Sequence, residues 1–94
     1  MSKSIISEKK RCFVCGRCSG IERHHIMHGA NRSNAEEDGL WVYLCADCHR
    51  GTEGVHGRDG HELDMELKTM AQERWEQKYG SREDFVHRYG KSFI

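Results

Sequence analysis

Two cysteine pairs of the same spacing, Cys12-Phe13-Val14-Cys15 and Cys45-Ala46-Asp47-Cys48, bracket a histidine doublet, His24-His25, and further histidines follow at His49 and His56. Each CxxC pair lets a tight turn aim both sulfurs at one point, so two pairs together suit one tetrahedral zinc ion. Gly16 follows Cys15 at the position where such a turn takes a positive φ. Cys15 and Cys18 have the same gap, but the Cys12/Cys15 pair carries the glycine and leaves Cys18 as a spare thiol. The expected ligands of a structural zinc are therefore Cys12, Cys15, Cys45 and Cys48. The histidines are surplus to that ion and suggest a second metal centre.

Neighbours on a strand point to opposite faces, so His24 and His25 are expected to do different jobs. One can hold a metal while the other accepts a proton. His49 directly follows the last knuckle cysteine, which aims it, and His56 lies seven residues on with glycines between. Individually, each of these reads more readily as a surface histidine than as a ligand. The doublet and the knuckle-anchored His49 together favour a metal centre.

The elements that must position these residues are legible in part. The chain has 94 residues, 36% of them hydrophobic and 32% charged, with a mean hydropathy of -0.84. One small domain with a thin core is expected, and metal binding then contributes directly to folding. Ile21 to Met27 and Leu40 to Leu44 read as strands, and residues 29–34 between them have the composition of an exposed loop. A short helix is expected from Ala46, limited by Gly51, Gly54 and Gly57. Leu63, Leu67, Met70, Ala71, Trp75 and Tyr79 form an apolar stripe on a helix of about five turns, expected to cover Trp41 and Tyr43. Gly80 fits its stop, and Ser81 fits the N-cap of a last helix through Phe85, Val86 and Tyr89. The organisation expected is a loose arm over residues 1–10, a metal-bearing core over 11–60, and helices over 61–94 packing on it.

Five cysteines do not make an even disulfide framework, and the first residues lack a long apolar stretch. A reducing, cytoplasmic setting with metal-bound thiolates follows, and no run approaches membrane-spanning length. Formal net charge is zero, yet residues 1–35 hold seven basic and two acidic side chains, against eight and thirteen in the remainder. Lys9, Lys10, Arg11, Arg17, Arg23 and Arg32 all lie close in sequence to the first knuckle or the doublet. Gathered on one face they would attract a polyphosphate; scattered, they are ordinary surface charge.

The series CxxCG, His24-His25-Ile26, Gly29-Ala30-Asn31-Arg32, Gly39-Leu40-Trp41-Val42-Tyr43-Leu44-Cys45, Cys48-His49 and Gly54-Val55-His56 resembles the His-Asn-His (HNH) endonuclease superfamily. It is similar above all to that superfamily's small phage and prophage members. The resemblance covers residues 12–56, and the ending Gly90-Lys91-Ser92-Phe93-Ile94 is similar to prophage members too. It implies a small α+β fold: a zinc-ribbed treble clef with a ββα-metal motif and a C-terminal helical extension. It implies that His24, His49 and His56 hold a catalytic divalent ion (zinc, nickel, manganese or magnesium) and that His25 is the general base. The family asparagine, usually just before the second strand, is missing from Glu37-Asp38-Gly39-Leu40, so Asn31 or Asn34 would have to take its place. Arg23 and Arg32, with Lys9, Lys10 and Arg11, would meet DNA. The implied function is a metal-dependent DNA endonuclease or nickase, serving recombination or packaging, as a monomer or homodimer. The alternatives are a zinc module that binds DNA or a protein and keeps a relic site, and a purely structural zinc domain.

Overall fold

The computed structural model describes residues 3–94 as a small α+β domain with a two-stranded antiparallel sheet. Strand β1, Ile21–His25, pairs with β2, Trp41–Cys45, in the register Ile21↔Cys45, Arg23↔Tyr43, His24↔Val42 and His25↔Trp41. Side chains opposite each other in such a pair share a face. Glu22, His24, Val42 and Leu44 therefore lie on one side of the sheet, and Arg23, His25, Trp41 and Tyr43 on the other.

The strands agree with expectation to within two residues at each end, but the segment between them does not. Where an exposed loop was expected over residues 29–34, Gly29–Asn31 is a 3-10 turn and Arg32–Asp38 is a helix, α1. Only Ala35 of α1 is buried, so the segment has no apolar stripe to announce it. Its stability comes from far along the chain. Asn31 Nδ2 donates to the Tyr89 carbonyl at 2.9 Å, and Asn34 Nδ2 to the Arg88 carbonyl at 3.2 Å. Asp38 accepts from Trp75 Nε1 at 2.8 Å, Tyr89 Oη at 2.7 Å and Arg88 Nε at 2.6 Å. Gly39 then ends α1 at a φ of +76°, where a Cβ would also collide with the Lys3 carbonyl.

Helix α2, Ala46–Arg50, starts at the second knuckle and is as short as expected. Beyond it Gly51, Gly54, Gly57 and Gly60 recur at every third residue, with the amide of each later glycine bonded to the carbonyl of the one before. This stack of tight turns folds back on α2. The Val55 amide reaches the Cys48 carbonyl at 2.9 Å, and the His56 amide reaches the His49 carbonyl at 3.0 Å.

Helix α3, His61–Lys78, buries Leu67, Ala71, Gln72 and Trp75. Helix α4, Arg82–Tyr89, starts at Ser81, whose hydroxyl accepts from the Asp84 amide while Asp84 accepts from the Ser81 amide. That reciprocal pair is a capping box. Trp75 packs edge-on to Phe85 with ring centroids 5.5 Å apart. The stripe on α3 was expected to cover Trp41 and Tyr43; these lie instead beside the N-terminal segment, and the Arg23 guanidinium sits 3.8 Å above the Trp41 ring.

The N-terminal segment is also more ordered than a loose arm. Ile6 is buried, the Ile5 amide bonds to the Gly39 carbonyl at 3.0 Å, and the Tyr43 amide bonds to Ser7 Oγ at 3.3 Å. Met1 and Ser2 of that expected arm lie outside the described residues. No helix among the described residues is long and apolar enough to cross a membrane.

Candidate metal centre

The first knuckle is built by its own backbone. The Cys15 amide donates to Cys12 Sγ at 3.4 Å, the Gly16 amide to the Cys12 carbonyl at 2.9 Å, and Gly16 adopts a φ of +80°. The Phe13 amide ties the loop to the Tyr43 carbonyl at 2.8 Å, which sets it against the start of α2. The sulfurs of Cys12, Cys15, Cys45 and Cys48 consequently lie within 4.8 Å of one another. Cys15 Sγ and Cys45 Sγ are 3.6 Å apart. A tetrahedron with metal–sulfur bonds of about 2.3 Å has an edge of about 3.8 Å, so the spacing already suits zinc. Cys18 is exposed, outside the cluster, with its thiol toward the Gly16 carbonyl.

Electrostatics within the cluster agree with that chemistry. Burial raises the Cys12 thiol, but amides of Cys15, Cys45 and Val14 aimed at its sulfur outweigh this and bring it down to about 6. Burial, followed by its cysteine neighbours, drives Cys48 up. Four sulfurs this close cannot all ionise alone; a divalent cation removes the conflict. The cluster can thus hold a metal such as zinc.

On the other side of the sheet a set of imidazoles converges. His24 is 1% exposed, and its Nε2 has no hydrogen-bond partner. Its ring centroid lies 5.2 Å from that of His49 and 5.1 Å from that of His56, and the latter two are 4.8 Å apart. Ligand atoms of all three fall within 4.8 Å of one another. His49 Nδ1 donates to Glu22 Oε1 at 2.7 Å, which leaves Nε2 as its available ligand atom. Burial, then the neighbouring His49, His28 and His56, push His24 down to about 3. Burial and His49 lower His56 as well. Neutral imidazoles with a free lone pair are the form that binds metal.

His28 and Asp64 complete this cluster, and sequence reasoning missed both. The His28 and His24 ring centroids are 5.4 Å apart, and His28 Nε2 meets Asp64 Oδ1 at 3.1 Å. The signal available for His28 was its place four residues after His24; nothing local links it to Asp64, which enters on the first turn of α3.

His25 occupies the opposite face, as the alternation of a strand requires. Its Nε2 donates to Glu36 Oε2 on α1 at 2.8 Å, and Arg32 Nε approaches its Nδ1 at 3.5 Å. Glu36 is lowered chiefly by that bond, against a smaller burial effect. Arg23 reaches Glu36 Oε1 at 3.5 Å, so Arg23, His25, Arg32 and Glu36 line one surface cleft. Lys9, Lys10 and Arg11 are exposed just before the first knuckle and do not line it. Asn31 and Asn34 were the expected substitutes for the family asparagine. The structure ties both side-chain amides to α4 carbonyls.

Comparison of the chain with protein-family models, with curated proteins and with solved structures finds no match.

Proposed function

We propose that this chain is a metal-dependent DNA endonuclease or nickase of the His-Asn-His type, on a zinc-ribbed treble clef with a ββα-metal motif. The observation that carries this reading is the buried, unpartnered Nε2 of His24, ringed by His49 and His56. Leaving a buried polar atom without a partner costs about 1–3 kcal/mol, a cost that a bound cation removes. In this reading the four cysteines are scaffold: Cys48 and α2 aim His49, while the glycine stack brings His56 over it.

His24, His49 and His56 would hold a divalent cation, which would supply positive charge beside a phosphate oxygen. His25 supplies the base. Its bond to Glu36 would place the ring proton on Nε2, and Nδ1 would take a proton from water once Arg32, whose Nε approaches it at 3.5 Å, turns to a phosphate. Arg32 and Arg23 flank the cleft as partners for adjacent phosphates. Asn31 serves by position, holding the turn before α1 against α4.

A second reading, a zinc module that binds DNA or a protein without cutting, is favoured by the engagement of both His25 nitrogens, by Glu36 and Arg32. Incubating supercoiled plasmid with the protein and manganese, magnesium, nickel or zinc separates the two. Nicked or linear product in at least one ion supports the nuclease; intact plasmid in all of them supports the binding module.

A further inference from the structure

Two donor sets, not one, meet on His24. The first is His24, His49 and His56; the second is His24, His28 and Asp64, whose ligand atoms also lie within 4.8 Å of one another. We propose that the second set is a separate cation seat, overlapping the first, which takes a harder divalent ion of the manganese class.

Three observations support it. The unpartnered Nε2 of His24 belongs to a side chain only 1% exposed. Asp64 is fixed in place: Lys68 Nζ donates to its Oδ2 at 2.8 Å, and its Oδ1 pairs with His28 Nε2 at 3.1 Å. That contact is a hydrogen bond which a cation would replace, and its length also lies between the ligand edges of an octahedral and a tetrahedral shell, about 3.0 and 3.4 Å for bonds of about 2.1 Å. The donor chemistry differs between the seats as well. Three imidazoles suit zinc or nickel, whereas a carboxylate beside two imidazoles shifts preference toward manganese. His24 can give its lone pair to one ion at a time, so the seats exclude each other and the identity of the ion selects between them. Asp64 stands on α3, so the manganese seat joins the C-terminal helix to the sheet and the zinc seat does not.

This inference rests on the reading of the imidazole cluster as a cation site and is independent of cleavage. The test loads the cysteine cluster with one equivalent of zinc, then titrates manganese, followed by the resonance of the free ion, or further zinc, followed by chelator competition. Wild type, Asp64→Asn, His28→Gln and His56→Gln are compared, with circular dichroism to verify folding. Asp64→Asn and His28→Gln should each lose at least about ten-fold in manganese affinity while the second zinc stays within about three-fold, and His56→Gln should do the reverse. Should one of the first two misfold, the other probes the same seat. Unchanged manganese binding in both would overturn the proposal, and so would parallel losses of zinc and manganese in every variant, which would mean one seat. Zinc without manganese in wild type overturns it alone. Neither ion binding beyond the cysteine cluster overturns it together with the metal centre of the proposed function.

Discussion

His24 and His25 are adjacent, yet they lie on opposite faces of the sheet in different surroundings. His24 is sealed among imidazoles with a bare Nε2, and His25 lies in an open cleft between a carboxylate and an arginine. Replacing His25 by alanine should abolish plasmid cleavage while leaving the number of bound ions and DNA retention unchanged, because Glu36 keeps Arg23 as a partner. Cleavage surviving in a folded variant would remove His25 from the role of base. His24 gives a second prediction. Its folded pKa lies near 3, against an ordinary 6.5 in the unfolded chain. Between those values the unfolded chain binds a proton that the native state refuses, so stability is retained above pH 6.5 and declines as pH falls toward 3. With no ion beyond the first zinc equivalent, denaturant unfolding should show His24 contributing up to about 1.4 kcal/mol per pH unit in that window. The slope should flatten in His24→Gln, and an unchanged slope would contradict the burial of a neutral imidazole.

Among the elements, those whose information is local were legible from sequence. Aromatic and branched residues announced β2, the stripe at steps of three and four announced α3, and Ser81 announced the start of α4. Helix α1 was not legible, because Arg32–Asp38 buries only Ala35 and is held by Asn31, Asn34 and Asp38 bonding to residues about fifty positions away. The glycines at every third step after α2 were read as a helix limit; the structure makes them the device that brings His56 onto His49. The cysteine set was legible from spacing alone, while His28 with Asp64 required the fold to bring them together. The Asp38 hub is testable. It accepts from Trp75, Tyr89 and Arg88, and its side chain is 12% exposed. Asp38→Ala should cost about 2–4 kcal/mol in denaturant unfolding of the zinc-loaded protein, the lower part applying if the solvent-reaching Arg88 contributes little. A loss under about 0.5 kcal/mol would show that α1 is held by other means.

At the scale of the whole molecule, a thin core is divided between two supports. Phe85, Tyr89 and Trp75 form an aromatic cluster around α3 and α4, while the knuckles and the sheet rely on four sulfurs drawn to one point. Burial alone is a weak support for a chain of this size, so an ion in the cysteine cluster would contribute to the fold, while the histidine cluster is the one proposed for the chemistry. We propose two metal centres in one small domain. The most direct measurement is the native mass of the intact chain after reconstitution with excess zinc and removal of loosely held ions. Two zinc ions per chain are predicted for the wild type, with one retained in His24→Gln. A wild type that holds a single ion, with the same count in His24→Gln, would rule out a histidine-bound ion and leave the cysteine cluster as the sole metal site.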